Sequence, residues 1–244
     1  MAAVHEHDLT EAVLRPVRGH HAFEACVEQL ATSIRLGVYP LGSPLPPERE
    51  LAARLNVSRA TLREAMAALR QAGLVETTRG RGGGTVVTLK LRTPSARAAA
   101  GTSAARRQEW LDALDFRRIV EPGAAHLAAR VHLTDAARDQ LEQAHRAVAA
   151  ARKPAHHRQA DSRFHLTVAA LTGSPRVIEA VTSVQATLHE MLLAIPVLEA
   201  NIVHSDRQHA ALVRAILAGK AERARTVMEE HCDDTAALLR GLVG

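Results

Sequence analysis

The chain has 244 residues, which suits one large domain or two modest ones, and a formal net charge of +5. Only five aromatic residues stand among 47% hydrophobic ones, a balance that favours packed helices over sheets. Two isolated cysteines, Cys26 and Cys232, exclude a disulfide framework and a cysteine-ligated zinc site. No apolar run approaches a membrane span and no signal-peptide core is present, so a cytoplasmic chain with no membrane partner is expected.

The charge is unevenly placed. Residues 1–100 hold 13 Lys+Arg against 9 Asp+Glu, whereas residues 101–244 hold 18 against 17. A phosphate-binding module requires such a surplus, and it lies in the first part of the chain.

In chain order, residues 1–21 are polar and His-rich, with Arg15 and Arg18, and read as a mobile N-terminal arm. Phe23, Val27, Leu30 and Ile34 then form an apolar stripe that Gly37 ends, which predicts a supporting helix packed on Leu62, Met66 and Leu69. Pro47 suits a first helical position, and Glu48 and Glu50 suit the positive end of a helix dipole. Leu51, Ala52 and Leu55 give that short helix one apolar face, and Asn56-Val57 makes a turn.

Ser58 is the expected N-cap of the next helix. There Leu62, Met66 and Leu69 face a core, leaving Ser58, Arg59, Thr61 and Arg63 near an exposed start. Gly73 closes the helix. Leu74 to Thr78 and Thr85 to Thr88 read as strands, and the glycines around Arg79-Gly80-Arg81 let both arginines approach a nucleic-acid backbone or minor groove. Two short helices and a basic hairpin are the parts of a winged helix-turn-helix over residues 22–89, which reads duplex DNA with the start of its second helix. The alternative is a solvated charged helix pair followed by a flexible loop.

These residues resemble the GntR family of bacterial transcription regulators. The likeness is carried by the helix from Ala22 to Leu36, by Leu45 to Ala52, by Val57 to Ala65, and by Gly73-Leu74-Val75 with the following Arg79-Gly80. The resemblance implies that Arg49, Arg59 and Arg63 contact DNA, that Ser58 and Thr61 touch phosphate or base, and that Gly80 is the wing glycine. It also implies an operator with GT and AC in mirrored positions.

Residues 90–107 lose the periodicity and have linker composition. Helical spacing then resumes, with helices expected near 108–130, 134–151, 156–171, 175–194, 200–218 and 221–240, bent or punctuated at Pro122, Thr134, Gly173-Ser174-Pro175, Pro196 and Gly219. The fold class is therefore mainly α: a winged helix-turn-helix with a small β-hairpin wing, followed by an all-α bundle of six or seven helices over residues 108–244.

Ten of the fourteen histidines lie in residues 101–244, and His132, His145, His156 and His157 read as solvated surface. Asp161 and His165, four apart, share a face with Phe164 and Val168; His209 shares a stripe with Leu212, Val213 and Ile216; His231 shares one with Ala224, Val227, Met228 and Leu238. One carboxylate and three imidazoles pointing into a bundle form a metal's ligand set. From periodicity alone, a satisfied core histidine stays an alternative for each. Arg117, with Glu121 one turn on, reads equally as an i,i+4 ion pair or a surface arginine.

The bundle is similar to the FCD effector domain of the FadR subgroup of GntR regulators. The likeness rests on Asp115 to Pro122, the Asp161 and His165 pair, Gln208-His209, Ala218 to Ala221, and His231. It implies that Asp161, His165, His209 and His231 hold a divalent metal ion, commonly zinc, with nickel or manganese as the other choices. It also implies that Arg117 faces a pocket beside the metal, where its planar fork suits a carboxylate. Gln208 departs from the pattern, which usually has Glu there. That bears on helix capping or ligand orientation rather than on the ligand itself.

The reading that follows is a homodimeric, ligand-responsive repressor on a palindromic operator, sensing a small organic acid. Two alternatives are weighed. An acyl-CoA-responsive regulator with a structural metal is disfavoured by the complete ligand set, because acyl-CoA binders of the subgroup lack the histidine triad. A metal-dependent hydrolase is disfavoured by the lack of a His-Glu-x-x-His helix, a nucleophile elbow or a Walker-type loop.

Overall fold

The helix and hairpin signals of the first ninety residues become elements in order: α1 (Leu9–Val13), α2 (Ala22–Arg35), α3 (Glu48–Leu55), α4 (Arg59–Gln71), β1 (Val75–Thr78) and β2 (Gly84–Val87). The computed structural model describes residues 9–14, 16–17, 22–78, 84–88, 103–194 and 199–243, and its contacts divide into two units, Asp8–Arg92 and Thr93–Gly244.

In the first unit, Ser58 caps α4 as its residue type predicts: its Oγ accepts the Thr61 backbone N–H at 3.0 Å. Asn56 takes a left-handed conformation (φ 53°) to turn the chain between α3 and α4. The core is built from Leu51, Leu55, Leu62, Met66 and Leu69 against Cys26, Leu30 and Ile34 of α2. Phe23, expected on that inner stripe, is instead 37% exposed. The buried face of α2 is set by Cys26, Leu30 and Ile34, at spacing four, and Phe23 falls outside it.

β1 and β2 pair antiparallel, Val75 opposite Val87 and Thr78 opposite Gly84. The chain before α3 adds to this sheet, with Leu45 N–H donating to the Thr85 carbonyl at 2.8 Å and Val87 N–H to the Ser43 carbonyl at 3.0 Å.

Within the arm expected over residues 1–21, residues 9–14 and 16–17 are described and are packed onto the first unit. α1 forms there, Leu14 and Val17 are buried in the core of the first unit, and Val17 N–H donates to the Leu55 carbonyl at 2.7 Å. Arg54 Nη1 also donates to Thr10 Oγ1 at 2.8 Å. This segment docks because its few apolar side chains find a preformed surface, which a local reading of a polar stretch does not register.

The second unit holds α5 (Ala104–Arg130), α6 (Asp135–Ala150), α7 (Pro154–Ala170), α8 (Pro175–Ala194), α9 (Glu199–Leu217) and α10 (Ala221–Val243). Ser103 and Thr134 cap α5 and α6, each accepting a backbone N–H at 3.2 Å. Residues 104–107, expected in a linker, are the first turn of α5, and α5 runs through Pro122 without ending. Pro196 lies outside the described residues.

α10 packs along α5, α7 against α6 and α8, and α9 against α10 and α6. One apolar cluster joins Ala125, Ala128, Leu141, Phe164, Leu212, Ile216 and Met228, and a second joins Trp110, Leu114, Leu188, Met191 and Leu239. Among the described residues, no helix is long and apolar enough to cross a membrane.

Candidate metal centre and nucleic-acid interface

Four helices deliver polar side chains into the bundle interior. His165 of α7, His209 of α9 and His231 of α10 are all buried, and one ring nitrogen of each lies within 4.8 Å of the others. Ring centroids are 5.3 Å apart for His165 and His209, 5.1 Å for His165 and His231, and 4.7 Å for His209 and His231. Phe164 lies against His209 at 4.5 Å between centroids and closes one side with an apolar wall. Asp161 sits one turn before His165, its Oδ1 3.6 Å from His209 Nε2. The compact group is therefore the three imidazoles, with Asp161 beside His209.

Neighbouring groups orient two of the rings. Glu121 Oε2 on α5 lies 2.9 Å from His165 Nδ1, and Gln208 Oε1 lies 3.1 Å from His231 Nδ1. In His231 a proton on Nδ1 facing Gln208 Oε1 leaves Nε2 as the lone-pair donor, and the nearby Glu121 carboxylate favours the same tautomer in His165. Gln208 is fixed in turn, because its Nε2 donates to Asp234 Oδ2 at 2.7 Å, an oxygen that also lies 2.8 Å from His204 Nε2.

Among the described residues, both nitrogens of His165 and both of His209 are buried without a hydrogen bond of good geometry, the Glu121 contact to His165 Nδ1 being close but poorly aligned. Orphaned buried nitrogens are costly, and a cation at their focus would satisfy them. Burial, and then the neighbouring His165 for His209 and His209 for His231, holds both pKa values well below the usual imidazole range. Neutral imidazole is the form that ligates a metal. The donor set of three imidazoles and one carboxylate thus fits a divalent ion such as zinc.

Glu121 is the buried hub of this cluster. Arg117 Nε donates to it at 3.1 Å, Gln185 Nε2 donates at 2.5 Å, and Cys232 Sγ lies at 3.9 Å. Burial works to raise its pKa, but the Arg117 charge and His165 overcome that and hold the carboxyl well below its usual range. Burial pushes the Cys232 thiol up to about 12, so it stays protonated and outside the ligand set. Arg117 is almost wholly buried, and its Nη1 has no hydrogen-bond partner among the described residues. With Arg158, Asp161 and His231 it lines a cavity of about 80 Å³.

The histidines divide differently from the sequence expectation. His157, expected as solvated surface, is buried, lines the same cavity and lies 3.6 Å from Asp206 Oδ1. Arg158, Gln185 and the hub role of Glu121 were missed. Their one signal is a polar residue on an otherwise inward-facing stripe, and that signal is weak for long side chains that can snorkel.

In the first unit, Arg49, Arg59 and Arg63 are exposed, on α3 and the start of α4. Arg63 Nε lies 3.3 Å from Glu48 Oε2, and Ser58 and Thr61 share a hydrogen bond of 2.9 Å between hydroxyls. Ser58 and Thr61 thus shape the helix start that presents the arginines. Arg79, Gly80 and Arg81 lie outside the described residues.

A capped helix with exposed arginines at its start, carried beside a two-stranded wing, defines a DNA-binding transcription regulator, and the bundle is its second unit. Residues 23–87 match the model of bacterial regulatory proteins of the gntR family, and residues 112–234 match that of the FCD domain. The chain is 35% identical over 218 residues to the HTH-type transcriptional regulator RmpR of Mycobacterium gastri, covering 85% of this chain and 76% of that one. It is 28% identical over 242 residues to the HTH-type transcriptional repressor NanR of Cronobacter sakazakii, covering 93% and 89%. A solved structure of E. coli McbR/YncC shares the fold at TM-score 0.54 and 16% identity, covering 91% of this chain and 99% of that one. The chain belongs to the GntR family of bacterial transcription regulators, with an FCD domain as its second unit.

Proposed function

We propose that this regulator is a homodimeric repressor of a palindromic operator, relieved by a small organic acid bound beside a divalent metal ion. Asp161, His165, His209 and His231 would hold the ion, zinc first and nickel or manganese as the other choices. Arg117 would take a carboxylate of the acid. The observation that carries this reading is the meeting of three buried imidazoles, two of them with unpartnered nitrogens, beside a cavity lined by Arg117 with its own unpartnered Nη1. When bound, the ion supplies a Lewis-acidic position for a carboxylate oxygen.

The chain's own residues do the rest. Glu121 holds Arg117 by Nε and leaves the far side of the fork for the ligand. Glu121 and Gln208 hold the Nδ1 faces of His165 and His231. The cavity of about 80 Å³ beside these residues supports a small acid as the ligand. The repressor sign follows the relative that carries that word in its name.

One variant tests the coupling. His209→Ala is expected to lose the metal and the response to acid while the apo-dimer still binds operator. Melting temperature, metal content and acid-induced operator release are read on the same preparation. A folded, metal-free variant that still releases DNA on adding acid removes the metal from sensing.

A further inference from the structure

Asp234 of α10 keeps half of its side chain in solvent, yet it stands only two hydrogen bonds from the buried ring of His231. Its Oδ2 meets two groups of α9, Gln208 Nε2 at 2.7 Å and His204 Nε2 at 2.8 Å. Gln208 turns its other end inward, and its Oε1 lies 3.1 Å from His231 Nδ1.

The direction of this chain of bonds follows from the chemistry of its members. An ionised carboxylate only accepts hydrogen bonds, so Asp234 must face the amide nitrogen of Gln208 and the protonated Nε2 of His204. With its nitrogen committed to Asp234, the amide presents its oxygen to His231. That oxygen also only accepts, so the single proton of the neutral ring sits on Nδ1 and Nε2 keeps its lone pair. A reversed amide would point its NH2 at Nδ1 and favour the proton on Nε2, the tautomer that cannot ligate through Nε2. The two ends of an amide have nearly the same shape, so the choice between these arrangements is made by what the amide touches.

We propose that Asp234 is a positioning residue for the metal centre: through the Gln208 amide, this surface carboxylate sets the tautomer of the buried His231. The inference rests on the reading that His231 holds a divalent ion, and it names what prepares the ring before the ion arrives. A bond that only tied α9 to α10 would leave the tautomer unaffected.

The test begins with the metal-free, full-length protein carrying isotopically labelled histidine. Long-range proton–nitrogen NMR near neutral pH reads which nitrogen of His231 holds the proton. The wild type is expected to hold it on Nδ1. Asp234→Ala is expected to move a measurable share of molecules to the Nε2–H form, and to weaken zinc about tenfold or more in chelator competition. Asp234→Asn keeps the shape but offers the amide both a donor and an acceptor, so a smaller change of the same sign is expected. In a Gln208→Glu background the sign inverts. A carboxylate there accepts from Nδ1 whichever way it turns, and removing Asp234 then relieves repulsion and tightens zinc. A wild type with the proton on Nε2, or an unchanged tautomer in both folded Asp234 variants, overturns the proposal. An equal loss of zinc affinity with and without Gln208→Glu also overturns it and leaves Asp234 a packing role alone. A wild type that binds no zinc overturns the metal reading, while the tautomer in the metal-free protein still decides whether Asp234 sets the ring.

Discussion

Glu121 Oε2 lies 2.9 Å from His165 Nδ1, and the same carboxylate takes the Arg117 guanidinium at 3.1 Å. One buried side chain on α5 therefore sets the ring of a candidate metal ligand on α7 and the fork of a candidate ligand-binding arginine. This joins the two halves of the proposed site through the protein itself.

Removing that carboxylate separates two roles. Glu121→Ala leaves Arg117 buried without a counter-charge and is expected to cost about 3–5 kcal/mol in chemical denaturation. Glu121→Gln keeps the shape, and its expected effect is a smaller stability loss with metal affinity reduced about 10–100-fold. Chelator competition reads the second quantity. Unchanged metal affinity in Glu121→Gln would mean that Glu121 serves the fold alone.

Gln208 is expected to act on the metal without holding it. Its Oε1 takes His231 Nδ1 and its Nε2 is anchored on Asp234. Gln208→Ala is expected to lower metal affinity about 10–100-fold with little change in apo stability. Gln208→Glu places a second carboxylate against Asp234, and Asp234→Asn in the same chain is expected to restore part of the loss. Equal metal affinity across all three variants speaks against this orientation.

Acid is expected to destabilise the metal-free protein. The folded chain holds His209 and His231 with pKa values well below the ordinary 6.5, so below that pH the unfolded chain binds more protons. Stability therefore falls as pH drops below 6.5 and is flat in these two groups above it. Between pH 6.5 and about 5.5 each group contributes a loss of about 1 kcal/mol. Urea denaturation of the apo protein across that range checks the sign, and stability that rises on acidification contradicts it.

The arginines of the first unit are expected to divide by role. Arg59→Ala and Arg63→Ala should lower operator affinity more than random-duplex affinity, by about 1–3 kcal/mol per base contact. Arg81→Ala should weaken all duplexes alike and flatten the salt dependence. Titrations against operator and scrambled DNA at several salt concentrations decide. An unchanged ratio of operator to random binding in the Arg59 and Arg63 variants removes the start of α4 as the reading element.

Much of the architecture was legible in the chain because helices advertise themselves locally. Apolar spacing, the caps at Ser58 and Thr134, and the stops at Gly37 and Gly73 act within a few residues and need no knowledge of the fold. The inward faces of His165, His209 and His231 were legible for the same reason. α1 was not, since five helical residues in a polar stretch carry too short a pattern, and only the surface offered by the rest of the first unit buries Leu14 and Val17.

Sequence alone thus determined a winged reader followed by a helical bundle, and the set of side chains that turn inward. Only the tertiary structure decided which of them meet. Glu121 and His165 stand 44 positions apart, and His209 and His231 stand 22 apart. Their distances depend on how α5, α7, α9 and α10 pack, which no local periodicity encodes. The same packing took His157 out of solvent, set Glu121 at the centre of the cluster, and brought Arg158 to the cavity that Arg117 lines. A charged side chain's partner is set by what the neighbouring helices bring to it, because electrostatic pairing acts through space over a few ångströms while spacing along the chain records only its own helix.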